Sequence, residues 1–503
     1  MTERGRPQTT TRQTPLTRTD LGAILILTAL AAALRAPGLA PDSLWIDDAW
    51  VAYAHRASWA EITEIGLSAP GFSASLKVLF SIVGFGEVRA QLLPFAAGIA
   101  APALVFWVLR HRVRTGVGLA AAGWMLLVPV HVEYSTRVKQ YTIEVVLALL
   151  IVHFAWRVLE EPTDNRRWRP LAIVSTIAVL VSFPLASIAG SACAVTALVH
   201  LWRHRRISPS LVWLAVPAVT TVTWFTIVIR HRQYGSLRRF WEAFYIQTDA
   251  GVLVSVESLL GRVKDLFEQV SPLPATASVV LVAIAVLAAA RRRPTHVAIT
   301  TLPLATAVVL AVLERAPLGG GRTDLYLLAG LILTTAIGVE EALLRADTSV
   351  PMRYARPAIG VGVAGALALG AWQFEQPAYP REAISSLVDE LAMRREPSDA
   401  VLVYHNAKWA FATYSDLDVE VHPTSGPYDV VFPDPQVVRQ RFPFDDERLL
   451  RSVNEASELG NRVWLIGSHF SSTWNATVAA MEGTGRTVVI TLERSGARLL
   501  LFE

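Results

Sequence analysis

The chain has 503 residues, of which 52% are hydrophobic and only 17% charged, and its mean hydropathy is +0.39. A soluble chain would carry about a quarter charged residues, so the composition excludes a soluble globular protein. The net charge of +4 lies in short basic clusters between apolar runs, which is typical of membrane topology and not of a nucleic-acid-binding face. The single cysteine, Cys193, excludes an intramolecular disulfide.

Apolar runs of spanning length recur along the first three quarters of the chain. Residues 1–20 are polar and basic, and the run at 21–40 is too long for a signal-peptide core, so we interpret it as a retained helix. Residues 70–85 are interpreted as an interfacial helix, because counting them as a span would invert every later loop. The sequence then predicts about eleven spans, at 21–40, 90–109, 116–130, 140–157, 170–182, 184–201, 210–229, 273–290, 297–313, 324–343 and 356–373.

Every second connection between the apolar runs is rich in arginine. These arginine-rich connections lie on the same side as the amino terminus and comprise 110–116, 160–170, 201–210, 291–296 and 343–357. This positive-inside pattern predicts a cytoplasmic amino terminus and an external carboxyl terminus. The external connections are then 41–88, 131–139, the turn near residue 183, 230–272, 314–323 and the chain beyond about 374.

The first external connection opens with LWIDDAWVAY, residues 44–53, in which Asp47 and Asp48 lie beside Trp50. Adjacent carboxylates at the mouth of a span are candidates for proton transfer. The alternative is an interfacial aromatic belt in which an aspartate caps the next helix.

The second cluster, HVEYSTRVKQYTIEVVLALL at 131–150, places charge at the start of a span. Its candidate residues are Glu133, Tyr134, Arg137, Lys139 and Tyr141. Charge within a bilayer is costly and usually faces a partner or an aqueous cavity, which favours a functional role. The alternative is snorkelling of basic side chains at a helix end.

The third cluster is ERAPLGGGRTDLYLL at 314–328, where three glycines precede Arg322 at a helix entrance. Glycines allow backbone amides to approach an anion, and helix amino termini attract negative charge. No predicted strand precedes the glycines, so the pattern is not a dinucleotide-binding fingerprint. A flexible turn before a capped helix is the alternative.

The long connection at 230–272 combines Arg238 and Arg239 with Trp241, and its second half has the apolar spacing of an amphipathic interfacial helix. Such a sequence suits a phosphate head group on a long apolar tail, and simple interfacial anchoring is the alternative.

Taken together, carboxylates that accept a proton and cations that hold a phosphate predict a glycosyl or phosphoryl transferase. A flippase of lipid-linked sugars and a non-catalytic envelope scaffold are the other hypotheses.

The order of these motifs resembles the GT-C type membrane glycosyltransferases, in the branch of protein O-mannosyltransferases and lipid A aminoarabinose transferases. LWIDDAWVAY is similar to the acidic pair of that family, with Asp48 where glutamate is frequent. The segment 68–94 ends in GFGEVRAQLLP, which matches the family pattern G-x-x-E-x-R-x-x-x-x-P. The sequence EYSTRVKQY at 133–141 matches Y-S-x-x-x-R/K-x-Y. The sequence GGGR at 319–322 matches a late G-G-x-R. The resemblance covers about residues 20–345.

The resemblance implies inverting transfer of a sugar from a polyprenyl-phosphate donor to a hydroxyl of a glycan, lipid or protein acceptor at the outer face of a bacterial cytoplasmic membrane. Asp47 would be the general base, and Asp48 would cap the helix, bind the acceptor or ligate a divalent cation. Arg137, Lys139 and Arg322 would hold the donor phosphate. The resemblance makes no cofactor certain, Mg²⁺ or Mn²⁺ on Asp47 or Asp48 stays open, and no nucleic acid is expected as a partner.

From about residue 374 the composition becomes soluble. The sequence therefore divides into a cytoplasmic tail (1–20), an α-helical polytopic membrane domain (21–373) and a small extracytoplasmic α/β domain (374–503). Residues 384–391 predict an amphipathic helix, 400–404 and 462–466 buried strands, and the end of the chain a hairpin that turns at Ser495–Gly496. The polar residues of this domain are interpreted as surface residues, with acceptor contact as the alternative; they are His405, Asn406, Lys408, Trp409 and His469.

Overall fold

The computed structural model describes most of the chain after the amino-terminal tail. The described residues are 15–39, 43–63, 65, 69–162, 164–205, 208–232, 235–249, 251–348, 365, 368, 370–372, 374, 382–422, 429–440 and 446–503. The predicted span at 356–373 therefore lies almost wholly outside the described residues.

The regular structure of the membrane part is helical throughout its described residues. Its α-helices are α1 (Arg18–Arg35), α2 (Ile46–Ala52), α3 (Pro70–Val83), α4 (Glu87–Ala90), α5 (Leu92–Leu109), α6 (Thr115–Leu127), α7 (Pro129–Tyr134), α8 (Tyr141–Glu160), α9 (Asn165–Val181), α10 (Ala186–His204), α11 (Ala215–Trp224), α12 (Gly235–Phe240), α13 (Val252–Val270), α14 (Ala275–Ala290), α15 (Pro294–Val312) and α16 (Leu325–Thr348). Short 3₁₀ turns or a π-helical turn extend several of them.

Within the described part of the chain, seven helical segments are long and apolar enough to cross a membrane. They are Arg18–Gly38, Leu92–Leu109, Tyr141–Glu160, Phe183–His204, Pro209–Ile229, Pro294–Val312 and Gly321–Arg345. An eighth is added if α13 and α14, which meet at a bend of 97°, count as one span. The protein is thus a multi-pass membrane protein.

The predicted spans at 116–130 and 170–182 are not among these seven segments, because both runs form shorter helices. The run at 116–130 forms α6, which has 13 residues, and the run at 170–182 lies in α9, which has 17. At 1.5 Å per residue, α6 is only about 20 Å long, against a hydrocarbon core of about 30 Å. Residues 70–85 form the 14-residue α3, in agreement with the prediction of a short non-spanning helix.

The carboxyl-terminal domain is a mixed sheet flanked by helices. Its helices are α17 (Ile384–Arg394), α18 (Lys408–Tyr414), α19 (Asp446–Leu459) and α20 (Thr473–Gly483), and its strands are β1 (Ala400–Val403), β2 (Glu420–His422), β3 (Asp429–Val431), β4 (Val437–Arg439), β5 (Val463–Ser468), β6 (Val488–Arg494) and β7 (Ala497–Phe502). The five-stranded sheet has the order β4-β1-β5-β7-β6, with β4, β1 and β5 parallel and β7 antiparallel to β5 and β6. The predicted helix, buried strands and terminal hairpin are all present.

The first connection of the membrane part shares a hydrophobic core with this domain. Trp50 of α2 stacks on Trp409 of α18 with ring centroids 5.5 Å apart, and the Thr413 hydroxyl donates to the carbonyl of Ala49 at 3.0 Å. Arg56 donates to backbone carbonyls of the same domain, including that of Ala412 at 2.6 Å. The first connection and the carboxyl-terminal domain therefore pack as one body, although the composition of the chain separates them.

Helices α14 and α16 of the membrane part approach each other closely, and a substitution can test how tightly they pack. A Cβ on Gly338 would lie 2.3 Å from the carbonyl oxygen of Ala285, whereas a Cβ on Gly190 of α10 would meet no atom within 4 Å. We expect Gly338→Ala to lower the free energy of unfolding by about 1–3 kcal/mol through overpacking. The matched control Gly190→Ala should leave it unchanged or raise it by up to about 1 kcal/mol. Thermal or denaturant unfolding in detergent micelles measures both, and equal effects of the two variants would contradict this packing.

Candidate active site

Helix α2 carries both aspartates in its first turn. Trp45 precedes the helix without a side-chain cap, and the Ile46 amide instead donates to the Glu382 carboxylate of the carboxyl-terminal domain at 3.1 Å. A carboxylate at this position satisfies an unpaired amide and suits the positive end of the helix dipole. Neighbouring residues on a helix diverge by about 100°, so Asp47 and Asp48 face different surroundings.

Asp48 is buried in an ion pair. Its Oδ2 lies 2.7 Å from Nε of Arg137, its Oδ1 accepts from the Val138 amide at 2.9 Å, and the residue is 3% exposed. Burial raises the pKa of Asp48, while Arg137 and the Val138 amide act against that rise. The Arg137 guanidinium also lies over the Trp45 ring, 4.2 Å from its centroid. Since both carboxylate oxygens are engaged, Asp48 holds α2 to the 135–139 segment.

Asp47 lies between two cations and retains a free oxygen. Its Oδ2 is 3.1 Å from Nη1 of Arg322 and 3.9 Å from Nζ of Lys139, and its side chain is 21% exposed. No donor in the described part of the chain is hydrogen-bonded to Oδ1. Burial raises the pKa of Asp47, but Lys139 and Arg322 outweigh it and hold that pKa below its usual value. Burial lowers the pKa of the Lys139 ammonium, and Asp47 opposes that shift.

The glycine loop positions Arg322. Gly319 and Gly321 have φ of +76° and +70°, and a Cβ on Gly321 would fall 1.7 Å from Oε1 of Gln269 in α13. Only glycine suits this close approach in the left-handed region. The Gly320 amide donates to the Asp324 carboxylate at 3.0 Å, which closes the turn before α16.

Aromatic rings surround Arg322. Its guanidinium lies 5.8 Å from the ring centroid of Trp241 and interacts electrostatically with the Tyr134 hydroxyl. Tyr134 in turn meets Tyr141 edge to face, at 5.1 Å between centroids. Glu133 is half-buried nearby, and burial raises the pKa of its carboxyl while Arg137 opposes the rise. The structure therefore brings together the predicted residues of three distant motifs.

Solved structures of two proteins share this architecture over almost the whole chain. ArnT from Cupriavidus metallidurans, in the apo state and bound to undecaprenyl phosphate, matches with a TM-score of 0.56 and 12% identity over 96% of this chain and 98% of that one. The archaeal oligosaccharyltransferase AglB from Archaeoglobus fulgidus, in complex with an inhibitory peptide and a dolichol-phosphate, matches with a TM-score of 0.50 and 12% identity over 96% of this chain and 74% of that one. The fold is that of GT-C membrane glycosyltransferases. No protein-family model and no curated protein matches the sequence.

Three predicted site residues lie apart from this cluster in the GT-C fold. Arg238 is 67% exposed and pairs with Glu314, and Arg239 is exposed as well. Neither forms an ion pair with Asp47 or Asp48 among the described residues. Trp50 is turned towards Trp409 of the carboxyl-terminal domain.

The carboxyl-terminal domain supplies contacts that the sequence analysis missed. Glu382 joins the Ile46 amide to His469, and the Tyr414 hydroxyl accepts from the Leu44 amide at 2.9 Å. The interpretation of the polar tail residues as surface residues was wrong for Trp409 and His405, which are 2% and 8% exposed. Trp409 is covered by Trp50 and Tyr53 of the first connection, a contact that no local pattern in the tail reveals, whereas His405 packs against Tyr404 within the domain.

The described residues do not assemble a ligand set for a divalent cation. They contain no group of three His, Cys, Asp or Glu side chains that could hold a metal ion. Both oxygens of Asp48 are bonded, and Asp47 is flanked by two cations. Binding of Mg²⁺ or Mn²⁺ to either aspartate stays a prediction.

The different surroundings of the two aspartates generate a stability test. Asp48→Asn leaves Arg137 buried without a counter-charge, so we expect it to lower the free energy of unfolding by about 3 kcal/mol or more. Asp47→Asn leaves Lys139 and Arg322 partly exposed to solvent, with side chains that are 13% and 23% exposed, so it should cost less than Asp48→Asn. Unfolding of both variants in the same micelles measures the difference. Equal losses would show that Asp48 is no more structural than Asp47.

Proposed function

We propose that the protein is an inverting glycosyltransferase that moves a sugar from a polyprenyl-phosphate donor to a hydroxyl acceptor in cell-envelope synthesis. The observation that carries the proposal is Asp47, a carboxylate with one free oxygen held between Lys139 and Arg322 in a GT-C fold. A solved structure of this fold is bound to undecaprenyl phosphate and another to a dolichol-phosphate, which supports the lipid-phosphate class of donor.

The residues divide the chemistry between them. The acceptor hydroxyl gives its proton to Oδ1 of Asp47 while its oxygen forms the bond to the anomeric carbon. The bond from that carbon to the phosphate oxygen breaks, and the leaving polyprenyl phosphate takes the electron pair. Lys139 and Arg322 stabilise the negative charge that develops on the leaving group.

Binding of the donor would also activate the base. Without donor, Lys139 and Arg322 neutralise Asp47 and hold its pKa low, which makes it a weak base. A donor phosphate competes for the same two cations, so the pKa of Asp47 rises when they turn to the phosphate. The carboxylate therefore gains basicity when the sugar is in place.

The positions of the charged clusters support an orientation. Helix α8 begins at Tyr141 beside the Asp47 cluster and ends at Glu160, which pairs with Arg112 at 2.7 Å. Its 20 residues separate the two ends by about 30 Å, the thickness of a hydrocarbon core. With the arginine-rich end in the cytoplasm of a bacterial cell, the candidate site and the carboxyl-terminal domain lie outside.

The first experiment measures release of polyprenyl phosphate by the full chain in lipid nanodiscs, with a panel of polyprenyl-phosphate sugars and a cell-envelope extract as acceptor. We expect Asp47→Asn to lower the rate by about 10²–10⁴, the usual contribution of a positioned base. The control Asp389→Asn changes an exposed carboxylate of α17 and should leave the rate unchanged. Equal rates for Asp47→Asn and wild type would exclude Asp47 as the base. No release by wild type, together with donor movement between leaflets, would favour the flippase.

The same assay tests the donor side. Lys139→Gln and Arg322→Gln should each lower kcat by about 10²–10³, because each removes a cation from the leaving group. Arg238→Gln should change it by less than about threefold, since Arg238 is exposed and paired with Glu314. If Arg238→Gln lowered kcat as much as Arg322→Gln, the donor phosphate would have to be bound near the 230–272 connection instead.

A further inference from the structure

His469 has an uncommon backbone conformation next to the candidate site. It follows β5 with a φ of +51°, in the left-handed region that a non-glycine residue adopts at a cost of about 1–3 kcal/mol. The Asn406 side-chain amide donates to the His469 carbonyl at 2.9 Å and holds this conformation. Such residues concentrate at ligand sites, where a side chain must be held in a fixed direction.

Glu382 fixes the direction of the imidazole. Its side chain is 5% exposed, with Oε1 2.8 Å from Nδ1 of His469 and Oε2 accepting from the Ile46 amide. Since the carboxylate accepts, Nδ1 carries the proton, and Nε2 of the neutral ring is left with a lone pair. The His469 side chain is 41% exposed, so a ligand can reach it.

The imidazole lies beside the start of α2, the helix that carries Asp47. Its ring meets Trp45, two residues before Asp47, edge to face at 5.5 Å, and Asp47 and His469 interact electrostatically. The helix bundle supplies Lys139 and Arg322, whereas the carboxyl-terminal domain supplies His469. In an inverting displacement the nucleophile arrives on the face opposite the leaving phosphate, which places the acceptor towards the domain.

We propose that His469, oriented by Glu382, is an acceptor-binding residue whose Nε2 accepts a hydrogen bond from a second donor group next to the reacting hydroxyl. The inference rests on the proposed glycosyl transfer and adds a residue to its acceptor side. The hydrogen of the reacting hydroxyl goes to Asp47, so His469 sets where the acceptor lies and not how its proton leaves. Glu382 is the positioning residue, because it holds both the imidazole and the first turn of α2.

If His469 binds the acceptor through Nε2, the apparent KM for acceptor should depend on pH. Nε2 accepts a hydrogen bond only when the ring is neutral. The titratable groups around the ring are Glu382, Asp47 and His405. The hydrogen bond to Glu382 raises the pKa of His469 above its ordinary value, and burial acts in the opposite direction. As pH falls through that pKa, the ring gains its second proton and the apparent KM for acceptor should rise.

The experiment uses the full chain in nanodiscs with the cell-envelope extract as acceptor probe, titrated at saturating donor. We expect His469→Ala to raise the half-saturating extract concentration about tenfold, the effect of one lost hydrogen bond to a bound group, while kcat and the KM for donor change less than threefold. His469→Gln, whose amide offers both a donor to Glu382 and an acceptor, should recover part of the loss and remove the pH dependence. His422→Ala is the matched control, since His422 forms the same kind of pair with Glu420 on the exposed β2.

Two outcomes would overturn the role of His469. One is an unchanged acceptor titration in His469→Ala. The other is a fall in kcat and donor affinity as large as the change for acceptor in both His469 variants, which would mean that His469 acts only by holding α2. Wild type that releases no polyprenyl phosphate would instead overturn the proposed function itself.

Discussion

The buried ion pair of Asp48 with Arg137 is the interaction on which the candidate site depends. Two charges taken out of water are tolerated only when each has a close partner, so this pair fixes α2 against the 135–139 segment. Because Asp47 directly precedes Asp48 in α2, the same attachment fixes the direction of the Asp47 side chain. The same segment carries Lys139, so one contact sets both the carboxylate and one of its cations.

Helix α2 is too short to be stable alone and is held from two sides. A seven-residue helix forms only through tertiary packing. The helix bundle holds it through Arg137 and Val138, and the carboxyl-terminal domain holds it through Glu382, Tyr414 and Thr413. Asp47 thus lies where the helix bundle and the carboxyl-terminal domain meet.

The sequence predicted the parts of the site that are local and charged. Charged residues at helix mouths on one side of a membrane must meet partners, so the convergence of Asp47, Lys139 and Arg322 was predictable before their distances were known. Hydropathy located the apolar runs but not the lengths of the helices that they form, as the 13 residues of α6 show. The long-range contact from Glu382 to Ile46 has no local signature. Nor does the sequence reveal that Arg238 pairs with Glu314, apart from the Asp47 cluster.

The separation of Ile46 and Glu382 by 336 residues has a consequence for biosynthesis. Chains are made from the amino terminus, and domains form in that order. Helix α2 therefore leaves the ribosome long before the residues that hold its first turn, and it completes its packing only when β5 and β7 have closed the sheet around His469. The carboxylate of Asp47 is therefore set in place at the end of synthesis, and an unfinished chain in the membrane lacks a completed candidate site.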